Sequence, residues 1–222
     1  MPSPDAVEPI AAGRASDILD LGDGLVLRRF KAGGDAEREA LVMRHAAGHG
    51  YPVPHVEDVR DDGLVLERIE GPTMAAYLRR HPWALRRQAA LLARLHAELH
   101  QIQTPPQLNG TDSDRLLHLD LHPENVLLSP AGPVVLDWTN AAAGEPALDA
   151  ALTWVIAATS GGLPGRLFAR AFLPHFDRHE LHSALPAAAA FRLADVNVTE
   201  AERAAVRRLL RTAAEPAAAP PG

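Results

Sequence analysis

The segment HLDLHPENVLL, residues 118–128, sets two histidines, two acids and an asparagine among apolar residues. Asp120 comes two positions after His118, Asn125 comes five positions after Asp120, and another acid, Asp137, follows the next apolar run. A buried strand or helix does not normally hold so many polar groups, because each buried group needs a partner. The segment therefore predicts either a site of chemistry or an exposed polar turn.

Three interpretations compete for this segment. In an extended chain, His118, Asp120 and His122 would share one face, as in a metal-dependent hydrolase, although no second cluster at ligand spacing accompanies them. The segment could also be a polar turn before a hairpin. The third interpretation is a kinase catalytic loop, in which Asp120 meets the substrate hydroxyl while Asn125 and Asp137 hold Mg²⁺ on the phosphates. The spacing, and the position of the loop before a predicted hairpin, favour the kinase loop.

Composition narrows the class of protein. The 222 residues are 47% hydrophobic and 23% charged, which is ordinary for a globular protein. The formal net charge is −6, so the chain lacks the excess of positive charge that is typical of nucleic-acid-binding proteins, and we expect no nucleic-acid partner. No cysteine is present, which excludes disulfides and thiolate metal sites. The first residues do not resemble a secretory signal, and no apolar run has the length of a membrane helix, so we expect a cytoplasmic protein without a membrane partner. The oligomeric state is not predicted.

The elements before residue 70 predict a small β-rich unit with one helix. The segments ILDLGDGLVLRRF and EDVRDDGLVLERI each place two apolar runs around an Asp-Gly pair, which is a strong hairpin signal. Between them, Asp35 can cap a helix from about Ala36 to Gly48. We therefore predict a small β-rich lobe over residues 1–69.

The remainder predicts a larger, mainly helical lobe over residues 70–212. One amphipathic helix is marked by an apolar stripe at helical spacing, formed by Leu85, Ala89, Leu92, Leu95, Leu99 and Ile102. Thr199 with Glu202 has the pattern of a capping box for a last helix. The tail, residues 213–222, is expected to be disordered.

Several of these segments resemble the aminoglycoside phosphotransferase family, the bacterial small-molecule branch of the protein-kinase-like fold. The catalytic segments are LHLDLHPENVLL and VVLDWTNAAAGEPALD, and LVLERIEGPTM is similar to the hinge between the lobes. The resemblance runs from about residue 13 to residue 155. It implies an α+β, two-lobed protein-kinase-like fold with a small antiparallel β lobe containing one helix and a larger helical lobe. The β lobe, residues 1–69, would bind the nucleotide, and the helical lobe, residues 70–212, would carry the catalytic and substrate-binding residues. It also implies ATP-dependent transfer of a phosphate to a small-molecule hydroxyl.

The resemblance carries roles onto particular residues. Asp120 would be the catalytic carboxylate, Asn125 and Asp137 would hold Mg²⁺, and Glu39 would pair with the cation that binds the phosphates. The adenine would be held at the hinge, by the Glu67 carbonyl and the Ile69 amide, which point the same way because they lie two apart in an extended segment. Asp149 matches an acid that would support the catalytic loop.

The phosphate-binding cation departs from the family pattern. The strand position that usually holds lysine is Arg28, and Lys31, the only lysine, has the opposite parity along the strand. Val26 shares a face with Arg28 and would cover the adenine. The segment GRASDIL, residues 13–19, supplies a single glycine to the nucleotide loop. These departures leave open a kinase-like protein that binds nucleotide without transferring phosphate.

Two further segments predict how the site is surrounded. After Asp137 the chain reaches a predicted helix within about ten residues, which leaves no room for the activation segment that protein kinases use to bind peptides. We therefore expect a small-molecule acceptor, enclosed by a mobile glycine-rich closure at residues 159–165. His96 and His100 lie four apart on a predicted helix, and we interpret them as packing residues rather than metal ligands.

Overall fold

An antiparallel sheet forms the first part of the computed structural model, which describes residues 9–12, 16–31 and 33–214. Its strands are β1 (Ala11–Ala12), β2 (Ser16–Gly22), β3 (Leu25–Phe30), β4 (Val56–Arg60) and β5 (Gly63–Glu67), in the order β1-β2-β3-β5-β4. Both predicted hairpins are confirmed. In the first turn, Asp23 and Gly24 have φ values of 52° and 75°, the left-handed pair that a tight two-residue hairpin requires.

The two faces of β3 have different surroundings. Leu27 packs with Leu19 and Val65 in a small separate cluster, whereas Val26 belongs to the main core. Arg28 has the parity of Val26 and is also buried. Strand parity therefore directs the Arg28 side chain into the molecule rather than into solvent.

Helix α1 (Ala36–Gly48) packs against β4 and β5. The carboxylate of Asp35 accepts a hydrogen bond from the Arg38 amide at 2.9 Å, so the predicted cap is confirmed. Glu39, in the first turn, is only 3% exposed and cannot be a solvated helix residue. Its burial implies a partner, because an isolated buried carboxylate is costly.

The rest of the chain is mainly helical. The helices are α2 (Met74–Arg80), α3 (Leu85–Leu99), α4 (Pro146–Ser160), α5 (Gly162–Phe172), α6 (Arg178–Ala194) and α7 (Glu200–Ala214). Helix α4 packs on α3, α5, α6 and α7, and most of its residues are buried. Among the described helices, none has the length and apolar character needed to span a membrane. The predicted lobe boundary at residue 69 falls in the connection between β5 and α2.

Two short antiparallel ribbons hold the loops that carry the polar residues. Strand β6 (Arg115–Leu117) pairs with β9 (Ala142–Gly144), and β7 (Val126–Ser129) pairs with β8 (Gly132–Val135). The sequence predicted the second ribbon but not the first, because a three-residue strand is too short to show a periodic pattern. The loop at 118–125 runs from one ribbon to the other, and the loop at 136–141 runs back. Both loops are therefore anchored at each end.

The glycine-rich segment at 159–165 is not the mobile closure that we expected. Helix α4 ends at Ser160 and α5 begins at Gly162, so most of the segment is helical. A Cβ atom on Gly165 would lie 2.3 Å from the carbonyl oxygen of Ala157, and the Gly165 amide donates to the Gly161 carbonyl at 3.0 Å. Gly161 and Gly165 allow close contact between consecutive helices.

Two predicted segments lie partly outside the residues that the structure describes. Residues 213 and 214 of the predicted disordered tail belong to α7, whereas the remainder of 213–222 lies outside the described residues. Residues 13–15 of the predicted nucleotide loop also lie outside them.

Candidate active site

Arg28 lies in a polar cluster between the sheet, α1 and the loop after β8. Its Nη1 bonds Glu39, while its Nη2 lies 2.5 Å from Asp137 Oδ1 and 3.1 Å from Thr139 Oγ1. Its Nε donates to the Ser16 hydroxyl at 3.2 Å. The guanidinium therefore has partners on the sheet, on α1 and on the loop after β8, and only 5% of the residue is exposed.

The carboxylates around Arg28 keep it charged. Burial alone would lower the pKa of Arg28, but the charges of Asp137 and Glu39 outweigh burial and raise it. Glu39 Oε1 also accepts from the Trp138 amide at 3.0 Å, and its Oε2 accepts from the Thr139 hydroxyl at 3.2 Å. The structure thus brings the sequence-predicted pair Arg28 and Glu39 into contact and joins Asp137 to it.

Asp120 is held by its own loop. Its Oδ1 lies 3.3 Å from His122 Nε2, and its Oδ2 accepts from the Asn125 amide group at 3.0 Å. The same amide group also donates to the Asp120 carbonyl at 2.9 Å. Burial would raise the pKa of Asp120, but the hydrogen bond and charge of His122 lower it below its ordinary value. Asp120 is therefore an ionised carboxylate with a fixed orientation at neutral pH.

The backbone of this loop is fixed by Asp149 on α4. Asp149 Oδ2 accepts from the His118 amide at 3.1 Å, and Oδ1 accepts from the Leu119 amide at 2.8 Å. Leu119 has a φ of 58°, which an L-residue adopts only when its surroundings impose it. Burial would raise the pKa of Asp149, but the hydrogen bond from His100 is the first of the interactions that hold it well below its ordinary value. The predicted supporting contact of Asp149 with the loop is present.

The hydrolase interpretation of the loop is wrong. His118 is fully buried, its Nε2 bonds the Leu136 carbonyl at 3.0 Å, and its ring lies 4.7 Å from the Trp138 ring. The positive φ of Leu119 breaks the extended alternation that would place His118 beside Asp120. Asp120 and His122 meet, but His118 points into the core.

Asn125 and Asp137 lie at the same end of the β7–β8 ribbon. The Leu136 amide donates to the Asn125 carbonyl at 2.9 Å, which fixes the two loops side by side. The Asn125 nitrogen is engaged by Asp120, which leaves its side-chain oxygen available. Asp137 uses Oδ1 for Arg28 and Thr139, leaving Oδ2 without a partner among the described residues. Two such oxygens fit the ligand preference of Mg²⁺.

The predicted adenine contacts lie on the strand edge and hinge. Val26 is buried on the face of β3 that carries Arg28. The Arg68 amide donates to the Gly24 carbonyl at 2.8 Å, whereas the Glu67 amide donates to the opposite side of the strand. Ile69, two positions after Glu67, has an amide that donates to no other described group. The hinge therefore leaves a backbone donor available where the sequence predicted one.

Sequence reasoning missed several members of this site. Thr139 contacts Arg28, Glu39 and Asp137, but a threonine two positions after an acid carries no recognisable signal. His122 was considered only as a metal ligand, although its two-residue spacing from Asp120 already indicated proximity. Lys31 pairs with Asp17 at 3.1 Å and is 41% exposed, which separates it from the buried cluster around Arg28.

Comparison with known proteins identifies the family and the fold of the chain. The model of a family described as "Phosphotransferase enzyme family" matches residues 6–115 and 103–183. A thermostable mutant of aminoglycoside phosphotransferase APH(4)-Ia, solved with AMP-PNP and hygromycin B, superposes with a TM-score of 0.68 at 16% identity, covering 95% of this chain and 94% of that one. A choline/ethanolamine kinase family protein from Mesorhizobium loti gives a TM-score of 0.59 at 17% identity, covering 93% and 86%. None of the curated proteins matches the chain. The predicted two-lobed protein-kinase-like fold is confirmed.

Proposed function

The chain belongs to the phosphotransferase enzyme family, and we propose that it transfers the γ-phosphate of ATP to a hydroxyl group of a small molecule. The observation that carries this proposal is the contact of Arg28 with both Glu39 and Asp137. This contact places Arg28, a cation that can bind phosphate, beside Asp137, an acid that can bind a metal ion, and both lie close to the loop that presents Asp120. A fold alone does not define a function, but this set of side chains has the parts that phosphoryl transfer needs.

Asp120 would act on the acceptor. An ionised carboxylate held by His122 and Asn125 can accept a hydrogen bond from the acceptor hydroxyl, orient its oxygen for in-line attack and receive its proton. Because the carboxylate is already oriented before substrate arrives, little reorganisation is needed during the reaction. Loss of this group should therefore affect transfer much more than nucleotide binding.

The nucleotide would bind between the sheet and the ribbons. We assign the adenine to Val26, the Glu67 carbonyl and the Ile69 amide, and the phosphates to Arg28. Asn125 and Asp137 would hold Mg²⁺, which neutralises charge on the phosphates when it is bound with ATP. The solved relatives with AMP-PNP and with ADP bound support ATP as the donor. ATP is a cytoplasmic substrate, so we assign the reaction to the cytoplasm.

The acceptor would be small. Only residues 138–145 separate Asp137 from α4, and β9 within that segment is paired with β6. This leaves no platform for a peptide, in agreement with the sequence prediction. The solved relatives include aminoglycoside phosphotransferases and choline or ethanolamine kinases, which directs the search to amino sugars and amino alcohols.

The second candidate is a nucleotide-binding protein without transfer activity. The presence of Arg28 favours this candidate, since the guanidinium is larger than the ammonium group of the expected lysine. Its Nη2 also donates a hydrogen bond to Oδ1 of Asp137, an oxygen that would otherwise be available to a metal ion. The two candidates differ in turnover alone. Both require nucleotide binding at Arg28, but the second requires that Asp120 never accept a proton from a substrate.

The test is a phosphate-transfer screen. Purified protein is incubated with Mg²⁺ and γ-labelled ATP, together with amino sugars, amino alcohols, other hydroxyl metabolites and, in a separate reaction, a protein mixture. We expect label in a small molecule, and Asp120→Asn is the matched inactive control. Labelling of proteins alone would contradict the acceptor class, while nucleotide binding without any transfer would favour the second candidate.

A further inference from the structure

We propose that His96, His100 and Asp149 form a second metal site, for a transition-metal ion of the Zn²⁺ type, beneath the loop that carries Asp120. Their three ligand atoms all lie within 4.8 Å of one another. This site is separate from the oxygen pair of Asn125 and Asp137. It does not depend on the proposed phosphotransfer reaction.

The separations suit a tetrahedral ion. Asp149 Oδ2 lies 3.1 Å from His100 Nε2 and 3.7 Å from His96 Nδ1. With metal–ligand bonds of about 2.0–2.1 Å, ligand atoms of a tetrahedral zinc site lie about 3.3 Å apart. The two measured separations fall on either side of that value. The third separation, between the two histidine nitrogens, is at most 4.8 Å, so the two rings would approach each other by up to about 1.5 Å to close on an ion.

The hydrogen bonds of Thr153 determine the state of His96. The Thr153 hydroxyl donates its single proton to a carbonyl, with the Leu121 oxygen at 2.6 Å and the Asp149 oxygen at 3.3 Å. Its oxygen must therefore accept from His96 Nε2, which lies 3.0 Å away. That bond fixes a proton on Nε2, so the neutral ring carries its lone pair on Nδ1.

The Nδ1 lone pair of His96 faces an anion. The residue is fully buried, and Nδ1 has no hydrogen-bond partner among the described residues. Instead it lies 3.7 Å from the carboxylate of Asp149, which is fully buried as well. Two buried electron-rich atoms that face each other without a proton between them are unfavourable. A cation between them would turn this repulsion into coordination.

The ligand types select the kind of metal. His96 lies in the last turn of α3 and His100, four positions later, caps the helix with helical backbone angles, so both rings project toward α4. Two imidazole nitrogens with one carboxylate oxygen suit zinc and related transition metals, whereas Mg²⁺ prefers oxygen ligands throughout. The fixed tautomer of His96 is the kind of outer hydrogen bond that orients a metal-bound histidine.

The metal would also fix the catalytic loop. Asp149 accepts the amide hydrogens of His118 and Leu119, immediately before Asp120. An ion bound to Asp149 would hold this carboxylate in place and so restrain the backbone that presents Asp120. The site would thus stabilise the folded chain first and the active loop through it.

The test uses the full chain after removal of metal with a chelator. We expect the protein to bind one equivalent of Zn²⁺ and its Tm to rise by about 5–10 °C when free Zn²⁺ is a hundred times Kd. Co²⁺ should give the visible absorption of tetrahedral nitrogen and oxygen coordination, and excess Mg²⁺ should give neither effect. Absence of stoichiometric Zn²⁺ binding would overturn the proposal and would leave a proton as the occupant.

Matched variants locate the ion. His100→Gln should lose the Zn²⁺-dependent rise in Tm, while its far-ultraviolet circular dichroism without metal matches that of the wild type. His49→Gln is the control, since His49 is exposed and follows the last residue of α1; this variant should keep both the stoichiometry and the rise in Tm. Retention of the Zn²⁺ effect in His100→Gln would overturn the site. Transfer activity is measured separately with Mg²⁺, so its failure bears on the proposed function and not on this site.

Discussion

The guanidinium of Arg28 contacts the carboxylate of Asp137 across 109 residues of sequence, with Nη2 2.5 Å from Oδ1. The same guanidinium uses Nη1 for Glu39. A lysine has one nitrogen for these two acids, whereas arginine presents a planar fork whose nitrogens serve them separately. Arg28 is therefore a link between α1 and the loop that carries Asp137, as well as a candidate ligand for phosphate.

Replacement of Arg28 separates these two roles. Arg28→Ala should abolish most transfer and lower the free energy of unfolding by about 3–5 kcal/mol, because Glu39 remains buried without its cation. Arg28→Lys keeps the charge and should retain substantial activity. Steady-state kinetics and urea unfolding of both variants measure the two effects. Wild-type activity in Arg28→Ala would contradict the phosphate role.

Asp137 should determine the metal requirement. Asp137→Asn keeps the size of the side chain but removes its charge, so the Mg²⁺ concentration at half-maximal rate should rise by about tenfold or more. The measurement is a Mg²⁺ titration of the transfer rate. Thr139→Val is the control, since it removes contacts with Arg28 and Asp137 but no metal ligand. An equal shift in both variants would assign the effect to the Arg28 cluster instead.

The parts of the fold that the sequence predicted are those with local signals. The Asp-Gly hairpins, the Asp35 cap and the parity of Val26 and Arg28 each follow from a few neighbouring residues. The spacing of Asp120, Asn125 and Asp137 also carried enough information to bring them to one region. In each of these cases the chemistry and the geometry depend on the same short segment.

The features that the sequence did not predict depend on distant partners. No local pattern indicates that Leu119 adopts a positive φ, because Asp149 on α4 imposes it through two amide hydrogens. The positive φ of Leu119 turns the His118 side chain into the core, whereas an extended chain would place it on the same face as Asp120. The glycines at 161 and 165 were likewise taken for a flexible loop because their tight contact with α4 appears only in three dimensions.

Asp120 should be required for transfer but not for nucleotide binding. Asp120→Asn keeps a hydrogen-bonding group of the same size but cannot receive a proton, so kcat should fall by about 10²–10⁴-fold. The Kd for Mg-ATP, measured by calorimetry, should change little, because in the proposed reaction Asp120 acts on the acceptor and not on the nucleotide. If the variant keeps most of the wild-type rate, another group removes the proton.

Glu202 should contribute to stability in a pH-dependent way. It forms a capping box with Thr199, whose amide donates to Glu202 Oε2 at 2.9 Å, and it also lies 3.6 Å from Arg192. Burial opposes the charge, but these hydrogen bonds, together with one from Ser160, lower the pKa from 4.5 to about 2. A folded-state pKa below the unfolded value gives stability that is complete above pH 4.5 and is lost as the pH falls toward 2.

Glu202→Gln tests this contribution. We expect a loss of about 1 kcal/mol at pH 7, and the difference from the wild type should shrink as the pH falls from about 5 to 3. Urea unfolding at several pH values measures it. Glu200→Gln on the same helix is the control, since the Glu200 side chain is 85% exposed and should contribute no measurable stability. A difference between wild type and Glu202→Gln that is constant with pH would contradict the lowered pKa.

His122 should determine the acid side of the pH–rate profile. Asp120 acts as a base only when ionised, and His122 is the first of the groups that lower its pKa against the effect of burial. Without His122 the pKa of Asp120 should rise, so the acid limb of the kcat/KM profile in His122→Gln should move to higher pH, while the rate on the plateau falls less than in Asp120→Asn. The profile is measured from pH 3 to 8 with saturating Mg-ATP, a range that extends below the ordinary pKa of an aspartate. An acid limb at the wild-type position would show that His122 does not control the ionisation of Asp120.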